Sequence, residues 1–141
     1  MKIPAKIDYA CRALLELSIT WPNDKPRHVA EISKKQGIPA KFLIHILITL
    51  KSLGYVDSTR GKAGGYVLAK NPADIHLSDV FKTFGGLGFS TGEKKKSRKI
   101  DAMQAVWDDL DGIFIKALEG VTLENIVNRH QQIVKTLSYD I

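Results

Sequence analysis

The stretch Arg60-Gly61-Lys62-Ala63-Gly64-Gly65 sets two cations among three glycines, a pattern suited to holding a polyanion. Glycine allows positive φ and lets the backbone come close to another molecule, while the cations supply charge. Nucleotide phosphates are cradled by similar loops, yet neither G-x-x-x-x-G-K-S/T nor G-x-G-x-x-G is present. Other reactive side chains are not grouped. The single cysteine, Cys11, excludes an intramolecular disulfide and any cysteine-only metal site. It lies in an apolar helical pattern and reads as a packing residue; a redox-sensing thiol would need exposure and a depressed pKa. The four histidines, His28, His45, His76 and His130, have no metal-ligand spacing, so no metal or cofactor is expected. Asp108, Asp109 and Asp111 fall on the outer face of a helix, where solvated charge is the ordinary reading, and no nucleophile motif accompanies them. These patterns point to binding rather than to an enzyme.

With 141 residues, 44% apolar and 26% charged, the chain has the size and balance of one ordinary globular domain. Its net charge of +6 is unevenly spread. Residues 1–71 carry 12 Lys and Arg against 5 Asp and Glu, a balance of +7; residues 72–141 carry 9 against 10, a balance of −1. A basic first half joined to a near-neutral second half suggests a polyanion-binding module carried on an oligomerisation module. A basic surface that serves only solubility is the competing reading. No apolar run approaches the ~20 residues that a membrane span needs. After the basic opening Met1-Lys2-Ile3-Pro4-Ala5-Lys6, residues Asp8, Arg12 and Glu16 interrupt the stretch where a signal peptide's apolar region would lie. A cytoplasmic protein without a membrane partner is therefore expected.

The elements that position these residues are readable from apolar spacing. From Lys6 to Ile19, Ala10, Ala13, Leu14 and Leu17 recur with helical period. Trp21-Pro22-Asn23-Asp24-Lys25-Pro26 breaks that helix. A second helix spans Val29 to Gln36, with Val29, Ala30 and Ile32 inward, and Gly37 permits the turn after it. Pro39-Ala40-Lys41 opens a third helix, whose residues Phe42, Leu43, Ile46, Leu47, Leu50 and Leu53 predict a wide buried face ended by Gly54. Three helices, the last two joined by a tight turn, form a helix-turn-helix. The strand formers Tyr55 to Thr59 and Tyr66 to Ala69 then flank the basic glycine loop, which makes a β-hairpin, and in this position a wing.

Asn71-Pro72 ends that unit, and a helix from Leu77 to Phe84 follows. Residues 87–100, with the basic run Lys94-Lys95-Lys96-Ser97-Arg98-Lys99, are predicted to be an irregular loop, a backbone contact with DNA and a partner site being the alternatives. Met103, Trp107, Leu110, Phe114, Ala117 and Val121 alternate spacings of four and three, widened by Val106 and Ile113. This long stripe suits packing on another long helix, and dimerisation is the expectation, with a core helix within one chain as the alternative. A closing helix starts near Thr122 as N-cap, with Val121 and Ile126 as a hydrophobic staple, and His76 takes the same cap position earlier. The expected fold is mainly α with a small β-hairpin wing. A winged helix-turn-helix domain at 1–71 precedes a region at 72–141 that holds a connecting helix, the basic loop and dimerisation helices.

The segments Gly37-Ile38-Pro39-Ala40-Lys41-Phe42-Leu43, Leu50-Lys51-Ser52-Leu53-Gly54-Tyr55-Val56 and Ser58-Thr59-Arg60-Gly61-Lys62-Ala63-Gly64-Gly65-Tyr66-Val67-Leu68-Ala69 resemble the Rrf2 family of bacterial transcription regulators. Met1-Lys2-Ile3, Tyr9-Ala10, Val106-Trp107 and Val121-Thr122-Leu123 extend the resemblance over nearly the whole chain, and the R-G-x-x-G-G-Y wing is its most specific part. The resemblance implies a homodimer that reads a roughly palindromic operator on double-stranded DNA, usually as a repressor. By position, the recognition helix would start near Ala40 and enter the major groove. Arg60 would reach a narrow A·T-rich minor groove, and Lys2, Lys6, Lys41 and Lys62 would meet phosphates. With Ile44, His45, Gly61, Gly64 and Gly65 these residues make the candidate DNA-contact set. Met103, Val106, Trp107, Leu110, Ile113 and Phe114 make the candidate dimer interface.

Two departures from the family stand out. Many members hold an iron–sulfur cluster through three cysteines between the fourth helix and the dimer helix, whereas Leu87 to Ile100 contains none. Sensing through such a cluster is not expected. Many relatives also place a Glu-Gln pair where this chain has Ile44-His45. Glutamate accepts a hydrogen bond from cytosine N4, and isoleucine cannot. Ile44 is read either as a tolerated surface residue or helix contact, or as a sign of altered operator preference; the alternative function is a protein-interaction module with only non-specific DNA affinity. The effector, a small molecule or a protein, is not readable.

Overall fold

The structure is a computed structural model that describes residues 2–22, 25–85 and 101–139. Helix α1 (Ala5–Ile19) buries Ile7, Ala10, Ala13, Leu14 and Leu17, the predicted stripe and one further turn. It packs across α3 (Ala40–Ser52), which contributes Leu43, Ile46, Leu47 and Leu50. Helix α2 (Val29–Gln36) adds Ile32 and ends at Gly37, whose φ of 65° is the left-handed conformation that turns the chain into α3. Fully burying this many aliphatic side chains, at roughly 1.5–3 kcal/mol each, is the main driving force for the three-helix unit.

Strands β1 (Val56–Thr59) and β2 (Gly65–Leu68) pair antiparallel, with Val56 opposite Leu68 and Thr59 opposite Gly65. The hairpin is extended on its far edge by one residue. The Arg27 N–H donates to the Tyr66 carbonyl at 2.9 Å, and the Tyr66 N–H donates back at 2.8 Å. After a 3-10 turn at Pro72–Asp74 comes α4 (Leu77–Thr83). Helices α5 (Ala102–Glu119) and α6 (Leu123–Tyr139) follow.

The starts of α4 and α6 are stitched together. The Leu77 N–H donates to the Val121 carbonyl and the Leu123 N–H to the Ile75 carbonyl, each at 2.9 Å. Thr122 caps α6 as expected: its hydroxyl accepts from the Asn125 N–H while the Asn125 side chain accepts from the Thr122 N–H. At α4 the Asp79 carboxylate accepts from the His76 N–H at 3.3 Å. Ile75, Val80, Phe81, Leu118 and Leu123 join the same buried cluster as the three-helix unit.

Two expectations change. Phe42 and Leu53 are 54% and 49% exposed rather than buried. Both lie off one edge of the stripe made by Leu43, Ile46, Leu47 and Leu50, and a helix covered on one side buries only about 100° of its surface. Ala30 is exposed and Val29 half-buried, because α2 turns chiefly Ile32 inward. On α5 Leu118 is the buried residue. Residues 87–100, expected as a loop, lie outside the described residues.

Candidate nucleic-acid interface

Lys41, Ile44, His45 and Ile48 occupy the side of α3 opposite its buried stripe, and all four are exposed. Ala40, the first residue of α3, follows Pro39 and is exposed as well. Ile44 and Ile48 expose 44% and 55% of their surface, so the helix presents a mixed apolar and basic face rather than a purely polar one. The far end of α3 is tied to the hairpin by Lys51, whose Nζ donates to Ser58 Oγ at 2.6 Å.

The tip of the hairpin, residues 60–64, carries Arg60, Gly61 and Lys62 exposed. Its glycines are demanded by the fold's own backbone. A Cβ on Gly64 would lie 2.3 Å from the Thr59 carbonyl oxygen, and one on Gly65 would lie 2.4 Å from the Arg27 carbonyl oxygen. Gly64 is buried and its N–H donates to the Gly61 carbonyl. Gly64 and Gly65 therefore shape the tip, while Arg60 and Lys62 are the side chains it presents.

Lys2 and Lys6 are exposed at the start of α1. The structure brings Lys6 and His45 together along one groove of about 780 Å³, lined also by Tyr9, Phe42, Ile46, Thr49 and Phe84. The Tyr9 and Phe42 rings, 6.4 Å apart, hold the first turn of α3 against α1.

The candidate interface on α5 splits into two sides. Met103, Val106, Leu110 and Ile113 are exposed, Ile113 by 65%. Trp107 and Phe114 are half-buried, and the Phe114 ring packs on Phe81 of α4. Sequence reasoning missed the polar link behind the wing. Arg27, 7% exposed, donates to Glu16 Oε2 at 2.9 Å, to the Glu16 carbonyl at 3.0 Å and to Glu31 Oε1 at 2.9 Å. Only the Arg27/Glu31 spacing of four was a readable signal; Glu16 is too distant in sequence.

A three-helix unit that ends in a basic, glycine-shaped hairpin is a winged helix-turn-helix, the fold of DNA-binding regulators. The chain matches the Rrf2 family, described as an iron-dependent transcriptional regulator, over residues 3–129, and it belongs to that family. It is 33% identical over 132 residues to an HTH-type transcriptional regulator of Synechocystis sp., across 89% of this chain and 87% of that relative. An rrf2-like HTH-type regulator of Rhodobacter capsulatus is 41% identical over 86 residues, 60% of this chain and 57% of the relative. Among solved structures, T. potens IscR has a TM-score of 0.80 at 23% identity and covers 94% of this chain and 90% of its own. CymR, the global cysteine regulator of B. subtilis, has a TM-score of 0.77 at 23% identity, with coverages of 92% and 98%. Both likenesses show the fold.

The residues present do not fit a thiolate-held iron centre. Cys11 is the only cysteine, and burial pushes its thiol up to about 11, with Asp8 adding to the rise and Arg12 opposing it. A half-buried thiol that stays protonated is a poor iron ligand. Among the described residues no three His, Cys, Asp or Glu side chains converge where they could hold a metal. No described helix is long and apolar enough to cross a membrane.

Proposed function

We propose that this chain is a homodimeric repressor that reads a two-fold-symmetric operator without iron–sulfur sensing. The observation that carries the reading is that Arg60 and Lys62 stand exposed on a tip whose glycines the backbone requires, while α3 exposes a face bearing Lys41 and His45. In this reading α3 enters the major groove with Ala40, Lys41, Ile44 and His45 foremost. Ile44, which cannot accept from cytosine, meets a thymine methyl instead. Arg60 enters the flanking minor groove beside the Gly61 turn, and Lys62, Lys2 and Lys6 contact phosphates. The exposed side of α5, Met103, Val106, Leu110 and Ile113, seats a second copy, with Trp107 and Phe114 at its inner border.

The exposure of Phe42, Ile44 and Ile48 favours one other reading, a protein-interaction module that binds DNA only through charge. Selection of random duplexes by the purified protein at two salt concentrations separates them. An enriched palindrome that survives higher salt supports the repressor. Binding without enrichment, collapsing as salt rises, supports the interaction module.

A further inference from the structure

A hairpin with four residues in each strand is marginal by itself, so something must hold this wing in place. Arg27 does so through both of its halves. Its backbone pairs in both directions with Tyr66, and its side chain forks onto α1 and α2. The Glu16 carboxylate that receives it also accepts from Gln36 Nε2 at 2.7 Å, so α1, α2 and the hairpin meet at one buried ion pair. Both side chains of that pair are 8% exposed, which leaves the guanidinium unavailable to a phosphate. At Gly65, one residue beyond the loop that carries Arg60 and Lys62, a Cβ would lie 2.4 Å from the Arg27 carbonyl oxygen.

We propose that Arg27 is a positioning residue for DNA reading: locked onto Glu16, it fixes the backbone on which β2 pairs and so sets the wing tip relative to α3. The inference rests on the reading that the wing contacts DNA. Lysine could not replace arginine here, because three donors in a planar fork are used at once.

Removing Arg27 alone strands the Glu16 charge in the interior, so the test uses Glu16→Leu with Arg27→Leu, which removes both charges and keeps apolar bulk. On the selected operator, Arg60→Ala and Lys41→Ala are each measured in the parent and in this double variant. Arg60→Ala is expected to weaken binding roughly 5- to 150-fold in the parent and less than about 3-fold in the double variant. Lys41→Ala should cost the same factor in both. Amide exchange at Tyr66 should quicken in the double variant. An equal cost of Arg60→Ala in both backgrounds, or unchanged exchange at Tyr66, overturns the proposal. Loss of the Lys41 effect as well reduces Arg27 to a general structural role and also overturns it. No Arg60 effect in the parent sinks the wing reading itself, and the positioning role falls with it.

Discussion

The Phe114 ring meets Phe81 edge-on, with centroids 5.7 Å apart and planes at 83°. This contact, with Leu118 one turn later, turns one side of the α5 stripe inward. The other side, Met103, Val106, Leu110 and Ile113, is left facing out. Neighbouring positions 113 and 114 thus have different surroundings, and substitutions there should separate assembly from folding.

Ile113→Asp should leave the melting temperature of the isolated chain nearly unchanged and yield a monomer in sedimentation equilibrium. A charge on a face that a second copy covers must be desolvated, whereas on a solvated face it costs little. Phe114→Ala should instead lower stability by roughly 1–3 kcal/mol in urea unfolding, less than a fully buried phenylalanine would, with the dimer retained. A dimeric Ile113→Asp protein would remove this side of α5 from the interface.

Gly112 sits inside α5 with nothing within 4 Å of where a Cβ would be. Alanine there should stabilise the protein by about 0.5–1 kcal/mol, since glycine is a poor helix residue and the space is open. Thermal unfolding gives the sign directly. A Gly112→Ala protein that loses its dimer would instead mean that two helices approach closely at this glycine.

Helix periodicity bounded by proline and glycine breaks located α1, α2 and α3, and Leu14, Leu17, Ile32, Leu43 and Leu47 of those stripes are buried. The wing was legible from its glycines, although sequence could not say that Gly64 and Gly65 answer to the Thr59 and Arg27 carbonyls rather than to a ligand. What spacing cannot carry is partnership across the chain. Arg27 meets Glu16 and Tyr66 at long separations, and its burial depends wholly on them. Phe42 and Leu53 failed as core residues for a related reason: an apolar residue at the edge of a stripe is buried only if a neighbouring helix extends over it.

Cys11 packs on the core, and burial raises its thiol from the ordinary 9.0 to about 11. At pH 8 it should react with a thiol reagent only slowly, because little of it is thiolate. The stability consequence has a definite sign. Below pH 9 folded and unfolded thiols are both protonated, and nothing changes. Between pH 9 and about 11 the unfolded thiol ionises while the folded one does not, so stability falls as pH rises through this window. In urea titrations the stability difference between the parent and Cys11→Ala should therefore stay constant between pH 8 and 9 and change only towards pH 11. Fast labelling of the folded protein at pH 8 would contradict a thiol held protonated by its surroundings.

Arg60 and Lys41 are both exposed cations, yet their places predict different losses. Arg60 extends from a tip whose backbone can approach a groove wall, so Arg60→Ala should cost roughly 1–3 kcal/mol on the selected operator and flatten its preference at the A·T-rich flanks. Lys41 lies in the first turn of α3, where a phosphate contact fixes register without reading bases. Lys41→Ala should weaken binding about equally on operator and random duplex, and should reduce the slope of log K against log salt by about 0.9 for each phosphate it no longer neutralises. Fluorescence anisotropy at four salt concentrations on both duplexes measures all of this. If Arg60→Ala behaves as Lys41→Ala does, with equal losses on both duplexes, the wing supplies charge alone and sequence is read entirely by α3.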